Sequence, residues 1–282
     1  MSEPASAQND PVAASKAQDG DGVFETIKVV IQALLIALVV RTFLFQPFNI
    51  PSGSLIPTLE IGDYLFVSKY SYGYSRASFP CDFIYFNVCS DRFFSGRVME
   101  STPKRGDVAV FRLPRDQTQD YIKRVIGLPG DTVYMSGGRL YINDVIVPRE
   151  EIAKARTNDF FGVEADVLTY KETLPASSKD SQETGVSHRI IELQGDTGVL
   201  DNTQKFVVPA GNYFMMGDNR DNSTDSRVPA DAKQPGVGFV PIENFVGRAE
   251  LVFFSLKPGA AAWEFWKWPT SVRWSRMFQP VR

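Results

Sequence analysis

The sequence contains very little histidine and cysteine. Its 282 residues include a single histidine, His188, and two cysteines, Cys81 and Cys89. A zinc site built mainly from His and Cys would need almost all of them at once, so we expect no metal centre. A Ser-His-Asp triad could use only His188, which stands in a polar stretch without a nucleophile-elbow pattern. We therefore expect His188 to be an exposed surface residue.

The sequence also has no excess of basic residues over acidic ones. The chain has 30 Lys and Arg residues against 33 Asp and Glu residues, which gives a net charge of −3 at pH 7. Domains that bind nucleic acid usually carry a basic surface, so we expect no nucleic-acid partner. The length suffices for one or two domains with sizeable cores.

The N-terminal region changes from polar to apolar near residue 23. Residues 1–22 lack a cluster of large apolar or aromatic side chains, which predicts a disordered tail. Residues 23–46 contain an uncharged core from Val29 to Val40. This segment reaches the length needed to cross a bilayer if Lys28 and Arg41 extend towards the interfaces. A buried soluble helix and the apolar region of a cleaved signal peptide are the alternatives.

The residues after this segment argue against cleavage. The stretch from Arg41 to Pro47 is bulky where a processing enzyme requires small side chains, so we predict an uncleaved transmembrane anchor. Lys16 and Lys28 flank its N-terminal side, whereas residues 46–68 contain no Lys or Arg. The positive-inside rule therefore predicts a cytoplasmic N-terminus, with the bulk of the chain outside.

The rest of the chain has the sequence pattern of a β protein. Short β-branched and aromatic runs follow Gly-Asp pairs at Gly62, Gly106 and Gly130, a pattern typical of strands and turns. Asn143-Asp144 lies within an alternating run and predicts a hairpin turn. We predict a β domain formed by residues 47–148 and 211–257, a second β-rich subdomain at 149–210, and a Trp-rich segment at 258–282.

A proline-rich segment directly follows the predicted anchor. Residues 47–63 carry three prolines, and the serines Ser52 and Ser54 stand two positions apart. A rigid backbone can present a hydroxyl group for chemistry. An ordinary turn of Ser, Gly and Pro is the alternative.

Two adjacent cations, Lys123 and Arg124, stand within an otherwise apolar strand pattern. Neighbouring strand residues point to opposite faces, so one of the two cations should face the interior or a cleft. A buried lysine has a lowered pKa and can act as a general base. An edge-strand lysine that reaches solvent is the alternative.

A strongly polar loop is predicted at residues 217–227, which include no apolar side chain. Asp225 and Arg227 stand two residues apart and can pair, and the Asp, Asn and Ser side chains can bond to the backbone. Such bonds would make the loop rigid. A solvated loop is the alternative.

Together these segments resemble the successive sequence boxes of bacterial type I signal peptidases. The boxes are Pro51-Ser-Gly-Ser54-Leu-Ile-Pro-Thr-Leu, Lys104-Arg-Gly-Asp107 with residues 120–131, and Gly217-Asp-Asn-Arg-Asp-Asn-Ser-Thr-Asp-Ser-Arg227. They occur in the order expected for that family, from the anchor to about residue 254.

The resemblance implies specific roles. Ser54 would be the nucleophile and Lys123 the general base, and Ser52 would join the Ser54 N–H in the oxyanion hole. Ser223 would orient the lysine, with Asp225 and Arg227 as a supporting ion pair. The pocket for small substrate side chains would comprise Phe48, Ile50, Pro51, Leu55, Leu65, Val110, Tyr121 and Ile122. Leu55 stands where the family usually has Met, a residue of similar volume.

The resemblance also implies a fold and a function. The fold would be mainly β, a coiled antiparallel sheet or distorted barrel with a β-rich insertion, after one transmembrane helix. The protein would be a membrane-bound, monomeric serine endopeptidase of the bacterial inner (plasma) membrane, with its catalytic domain periplasmic. It would remove signal peptides from secretory preproteins after small residues at −1 and −3, with the lipid bilayer as its other partner. No cofactor is expected.

Two alternative functions remain open. One is a self-cleaving repressor-type peptidase with the same Ser-Lys dyad, although an anchor and an acidic body without a DNA-binding module argue against it. The other is a non-catalytic envelope module that binds peptides in the groove beside Ser54. Covalent labelling of Ser54 would distinguish an enzyme from a binding module.

Two further features lie outside the boxes. Cys81 and Cys89 flank an apolar stretch, and in an oxidising compartment we expect them to form a local disulfide, with two buried free thiols as the alternative. All four tryptophans lie between Trp263 and Trp274, in a segment with excess positive charge. Such a segment is typical of a membrane interface, and a structural strap packed on the β domain is equally possible.

Overall fold

The structure, a computed structural model, describes residues 18–78, 96–158, 164–177, 185–228, 236–260 and 263–282. The chain divides into two compact units, Met1–Phe43 and Leu44–Arg282.

The first unit is dominated by helix α1 (Gln18–Val39), which continues into a π-helical turn at Val40–Leu44. The stretch Gly22–Leu44 has 23 residues and a mean hydropathy of 2.3, which is sufficient in length and composition to cross a membrane. Residues 18–22, which the sequence placed in the tail, are helical in the structure, and residues 1–17 lie outside the described residues. Each residue added to an existing helix gains a backbone hydrogen bond, which lets the apolar helix extend into polar sequence.

The second unit is built from strands. In chain order they are β1 (Phe45–Asn49), β2 (Asp63–Ser68), β3 (Val108–Leu113), β4 (Asp116–Gly127), β5 (Thr132–Ser136), β6 (Arg139–Ile142), β7 (Val145–Ile146), β8 (Arg149–Asn158), β9 (Glu164–Leu174), β10 (Val186–Glu192), β11 (Phe206–Val207), β12 (Asn212–Met216), β13 (Val240–Pro241), β14 (Phe245–Ser255) and β15 (Gln279–Pro280). Short helical turns lie at Arg76–Ser78, Gly195–Thr197, Ile242–Asn244, Phe265–Lys267 and Trp274–Arg276, and a second α-helix, α2, at Trp268–Ser271. The predicted end of the anchor at residue 46 was therefore too late, because β1 already begins at Phe45.

Within the described residues, the strands form three antiparallel sheets. The largest has the order β1-β2-β14-β3-β4-β12-β13, with β15 paired to β14, and it is the sheet that carries the candidate site. The others have the orders β10-β9-β8 and β11-β5-β6-β7. Strand β14 pairs with β2 and β3 through several register shifts, which bend and coil the large sheet. The predicted mainly β class, with antiparallel sheets and one N-terminal apolar helix, is confirmed.

The Gly-Asp pairs lie at the starts of strands, as predicted. Gly62 and Gly106 have φ angles of +90° and +92°, a backbone conformation that favours glycine. A Cβ on Gly62 would come within 2.3 Å of the Leu256 carbonyl oxygen. Asn143 and Asp144 have φ angles of 54° and 62° between β6 and β7, which is the signature of the predicted hairpin turn.

Among the described residues, three apolar clusters hold the sheets together. The first lies around Leu55, Leu65 and Val110 beneath the β1–β2 edge, and the second lies around Phe111 and Phe245 in the centre of the large sheet. The third joins β4 and β12 to the β11-β5-β6-β7 sheet, in which β11 from the predicted second subdomain pairs with β5 from before it. The segments that carry the candidate site are therefore anchored on packed cores.

Candidate active site

Ser54 lies on a loop that is closed at its base by backbone bonds. The Ile50 N–H donates to the Asp63 carbonyl at 2.8 Å, and the Gly62 N–H donates to the Ile50 carbonyl at 3.0 Å. Between these points Leu55 is fully buried, which fixes the loop on the first apolar cluster. Ser54 itself is 7% exposed. The proline-rich segment therefore presents this serine from a fixed backbone.

Lys123 lies beside this serine. It stands on β4, paired with Ala109 of β3, and its Nζ is 2.5 Å from the Ser54 Oγ. The lysine is only 4% exposed. Burial lowers the pKa of Lys123 to about 8, while the negative charges of Asp225 and Asp218 limit the fall. A neutral amine within hydrogen-bond reach of a serine hydroxyl can act as its general base.

Arg124, the neighbouring cation, is also buried. It is fully inaccessible, and it binds the Asp218 carboxylate through two hydrogen bonds, Nε to Oδ1 at 2.8 Å and Nη2 to Oδ2 at 2.7 Å. We expected one of the two cations to face the interior or a cleft, whereas both are buried. Alternation sends them to opposite faces of β4, but loop 217–227 covers the face that was expected to be exposed.

Loop 217–227 is hydrogen-bonded to the loop that carries Ser54, which we call the nucleophile loop. The Asn219 N–H donates to the Ser54 carbonyl at 3.1 Å, and its side-chain amide donates to the Gly53 carbonyl at 3.1 Å. The approach is so close that a Cβ on Gly217 would lie 2.5 Å from the Ser54 carbonyl oxygen. A solvated loop, the alternative at the sequence level, is excluded because its charged residues Asp218 and Arg220 are buried.

The predicted pairing of Asp225 and Arg227 is present. The Arg227 Nη2 and the Asp225 Oδ2 lie 2.9 Å apart in a fully buried contact. Burial alone would raise the pKa of Asp225, but Arg227 and the Gly217 N–H hold that pKa below its usual value. Ser223 is buried nearby, and its Oγ has no hydrogen-bond partner among the described residues.

A cleft of about 850 Å³ opens onto Ser54 and Lys123. It contains most of the residues predicted from the family resemblance, namely Phe48, Ile50, Pro51, Ser52, Ser54, Val110, Tyr121, Ile122, Lys123 and Ser223. Leu55 and Leu65 do not line it. Both are completely inaccessible in the first apolar cluster, and their contact with substrate stays a prediction.

The cleft also contains residues that sequence reasoning missed. Gln194, Val199 and Leu200 reach it from the predicted second subdomain, and Asp221 and Asn222 reach it from loop 217–227. The first three stand in a polar, aperiodic stretch whose sequence gives no sign of a cleft.

The sequence analysis also missed the pairing of Arg124 with Asp218. Their opposite charges are compatible with an ion pair, but they stand 94 residues apart in the sequence, and nothing local indicates that they meet.

The prediction for His188 was wrong. Its side chain is buried, and its Nε2 lies 3.5 Å from Glu172 and 3.8 Å from Asp218. Burial lowers its pKa to about 4, and the nearby Arg124 adds to the effect. His188 and Ile190 share the buried face of β10; His188 pairs with Glu172 of the neighbouring strand β9, and Asp218 of loop 217–227 approaches its ring. The histidine is neutral at pH 7 and does not line the cleft.

The C-terminal segment is tied to the base of the Ser54 loop. Arg276 donates to the Asp63 carboxylate at 2.6 Å and to the Thr58 carbonyl at 3.1 Å, and Arg273 donates to the Ile61 carbonyl at 2.7 Å. The strap interpretation therefore has a structural basis, while Trp263, Trp266 and Trp274 remain exposed. Cys81 and Cys89 lie outside the described residues, so their disulfide stays a prediction.

Comparison with known proteins places these motifs in a family. The family model described as signal peptidase, peptidase S26, matches residues 23–254. Proteins named signal peptidase I from Rickettsia typhi and Rickettsia prowazekii are 40% and 39% identical over 260 residues, which is 87% of this chain and 89% of each relative. A crystal structure of a signal peptidase I from Enterococcus faecalis V583 is 28% identical and covers 52% of this chain and 97% of that one. Its TM-score of 0.27 supports no structural argument.

Proposed function

Because this chain belongs to the signal peptidase family, peptidase S26, and is therefore a peptidase, we propose that it cleaves signal peptides from preproteins with a Ser54–Lys123 dyad. The observation that carries this proposal is the 2.5 Å contact between the Lys123 Nζ and the Ser54 Oγ in a buried site. A serine at its ordinary pKa is a weak nucleophile and needs such a base.

The proposed reaction has two stages. Neutral Lys123 takes the hydroxyl proton as the Ser54 Oγ attacks the carbonyl carbon of the scissile peptide bond. The lysine ammonium then donates this proton to the leaving amine, the C–N bond breaks, and the signal peptide remains as an ester on Ser54. A water molecule, deprotonated by Lys123, attacks the carbonyl carbon of this ester. The bond from that carbon to the Ser54 Oγ then breaks, the signal peptide leaves as a carboxylic acid, and the lysine ammonium returns its proton to the Ser54 Oγ. The ordinary triad logic is preserved with lysine in place of histidine.

The oxyanion of each tetrahedral intermediate needs hydrogen-bond donors. We assign this role to the Ser54 N–H and the Ser52 hydroxyl, since Ser52 is exposed in the same cleft. Donors fixed before the reaction stabilise the developing charge without reorganisation. Ser223, with its unpaired buried hydroxyl, is assigned to orient the lysine amine.

The shape of the cleft supports a preference for small side chains before the scissile bond. Ile50 and Val110 line its wall, yet they are only 3% and 2% exposed, because the first apolar cluster packs behind them. A large substrate side chain would have to displace packed core side chains, which is costly. Small residues at −1 and −3 would avoid this cost.

The N-terminal helix supports a membrane-bound enzyme. We assign Gly22–Leu44 as a single-pass anchor in the inner membrane, with the N-terminus cytoplasmic and the catalytic unit on the periplasmic side. We further propose that the enzyme works as a monomer without nucleic acid. The polypeptide substrate would then reach the cleft from the membrane that it has just crossed.

The decisive experiment uses the full-length chain in detergent with a secretory preprotein. We expect a single cut, and mass spectrometry should map the new N-terminus to a position after small residues at −1 and −3. The Ser54→Ala variant should be inert, whereas Ser187→Ala, which changes a serine outside the cleft, should cleave normally.

Other outcomes would favour the alternative functions. An intact preprotein, together with no covalent labelling of Ser54 by a penem acylating agent, would point to a peptide-binding module. Cleavage of the enzyme's own chain alone would point to a self-cleaving peptidase.

A further inference from the structure

Strand β10 lies at the edge of the β10-β9-β8 sheet, and it is also hydrogen-bonded to loop 217–227. The Ile191 N–H donates to the Asp218 carbonyl at 2.9 Å, and the Arg220 N–H donates to the Ile191 carbonyl at 3.0 Å. These bonds set Ile191 beside Asn219 in a parallel bridge. The loop is therefore bonded both to the predicted second subdomain and, through Asn219, to the nucleophile loop.

A buried ion pair joins the loop to the same sheet. The Arg220 Nη2 donates to the Glu172 Oε2, and both side chains are only 1% exposed. Glu172 stands on β9, where it pairs with His188 of β10. Burial by itself would lower the pKa of Arg220, but the Glu172 carboxylate holds that pKa above its usual value. Loss of either charge would leave the other one buried without its partner.

This ion pair is adjacent to the bonds that fix the nucleophile loop. Asn219, the residue before Arg220, donates through its N–H to the Ser54 carbonyl and through its side-chain amide to the Gly53 carbonyl, both at 3.1 Å. The peptide unit between Asn219 and Arg220 is rigid, so a displacement of Arg220 would carry Asn219 with it. A misplacement of about 1 Å can lower a reaction rate by about 10²-fold.

A second chain of contacts leads from Arg220 to the lysine. The Arg220 carbonyl accepts a hydrogen bond from the Arg227 Nη2 at 2.7 Å, and Arg227 forms the buried pair with Asp225. Burial lowers the pKa of Lys123, and the charge of Asp225 limits that fall. The position of Arg220 therefore affects both members of the dyad.

We propose that Glu172 is a positioning residue, whose carboxylate fixes Arg220 and thereby keeps Ser54 and Lys123 aligned for attack. Glu172 and Arg220 are not among the residues that line the cleft, so they act through loop 217–227 and not by contact with substrate. The predicted second subdomain would thus contribute to the rate from outside the site. This inference rests on the proposed function, because it concerns the rate of the proposed cleavage.

The test measures kcat and KM for a short peptide with the full-length chain in detergent. Glu172→Gln keeps the shape of the side chain and removes its charge. We expect kcat to fall about 10- to 100-fold and KM to change by less than about twofold, because the dyad is displaced while the cleft walls are unchanged. Circular dichroism verifies that the variant is folded.

A double variant distinguishes positioning from stability. Glu172→Leu combined with Arg220→Met removes both buried charges, and apolar residues of similar volume can often replace a buried ion pair without loss of stability. We expect the parental denaturation midpoint together with a kcat as low as that of Glu172→Gln. A double variant with the parental kcat would overturn the inference, because the ion pair would then serve stability alone. The double variant also decides the question if Glu172→Gln does not fold.

Glu192→Gln is the matched control. Glu192 is a fully buried carboxylate on β10 of the same sheet, but its ion-pair partner is Arg149 of β8 and not a residue of loop 217–227. Its kcat should therefore equal that of the parent. Equal losses of kcat in Glu172→Gln and Glu192→Gln would also overturn the inference. Failure of the proposed function is a separate result, since the parent enzyme would then not cleave the peptide.

Discussion

A lysine can act as a base only while it is neutral. Burial lowers the pKa of Lys123 and so increases the fraction of molecules in which its amine is neutral. With a pKa of about 8, roughly a tenth of the molecules hold a neutral amine at pH 7. An exposed lysine, with a pKa near 10.4, would be neutral in fewer than about one molecule in a thousand. The 4% exposure of this side chain is therefore directly connected to the rate of the reaction.

The pH dependence of cleavage follows from the same lysine. Protonation removes the base, so kcat/KM should rise about tenfold per pH unit below pH 8 and level off above it. Steady-state cleavage of a short peptide between pH 6 and 10 measures this profile. His188, with its pKa lowered to about 4, should add no inflection in this range. A flat profile, with the chemical step shown to be rate-limiting, would contradict a lysine base.

Removal of either dyad residue should abolish cleavage. We expect Ser54→Ala and Lys123→Ala each to lower kcat by about 10⁴-fold or more, and the double variant to be no worse than the single ones, because the two residues act as one unit. Rates are measured on purified proteins whose folding is checked by circular dichroism. Substantial activity in either single variant would contradict the assignment.

Ser52→Ala should have a milder effect. Loss of one oxyanion donor typically lowers turnover by about 10²–10³-fold, which leaves measurable cleavage. The comparison with Ser54→Ala in the same assay distinguishes the two serines. If Ser52→Ala were as inactive as Ser54→Ala, the assignment of nucleophile and oxyanion donor would have to be reversed.

At the scale of elements, the site depends on how loop 217–227 is attached to β4. Arg124 and Asp218 provide this attachment, and Thr58 of the nucleophile loop donates to the same carboxylate at 2.5 Å. Breaking a buried ion pair leaves an uncompensated charge, so Asp218→Ala should lower the free energy of unfolding by about 3–5 kcal/mol. Chemical denaturation of the full chain in detergent measures this change.

An exposed ion pair serves as the control for Asp218→Ala. Lys205 and Asp144 form such a pair on the surface, and Lys205→Ala should leave the denaturation midpoint unchanged. If Asp218→Ala were equally neutral, the loop would not depend on this attachment.

The elements also show what the sequence could predict. The Gly-Asp pairs, the hairpin at Asn143 and the polar loop were found because turn chemistry is local. His188 and Arg124 were misjudged for a different reason. Alternation indicates which face of a strand a residue occupies, but it does not reveal which distant segment covers that face. The contribution of Val199 to the cleft was hidden in the same way.

At the scale of the whole molecule, the C-terminal segment has two faces. Arg273 and Arg276 bind the base of the Ser54 loop, and Val281 packs against the first apolar cluster. Trp263, Trp266 and Trp274 are 76%, 61% and 59% exposed. Truncation of the segment would therefore disturb the site as well as the surface, and only point substitutions can test the surface by itself.

The exposed tryptophans predict a contact with the membrane surface. Tryptophan rings favour the headgroup region, and residues 257–282 carry five basic residues against one acidic residue, which favours anionic lipid. We expect a protein that lacks residues 1–43, the first compact unit, to sediment with vesicles of anionic phospholipid. The triple change Trp263→Ser, Trp266→Ser and Trp274→Ser should weaken this sedimentation, while cleavage of a short soluble peptide continues at the parental rate. A matched triple variant at exposed apolar residues outside the C-terminal segment, Val145→Ser, Val207→Ser and Ile152→Ser, should bind vesicles as the parent does. Equal binding by the tryptophan variant and its parent would show that the rings do not contact lipid.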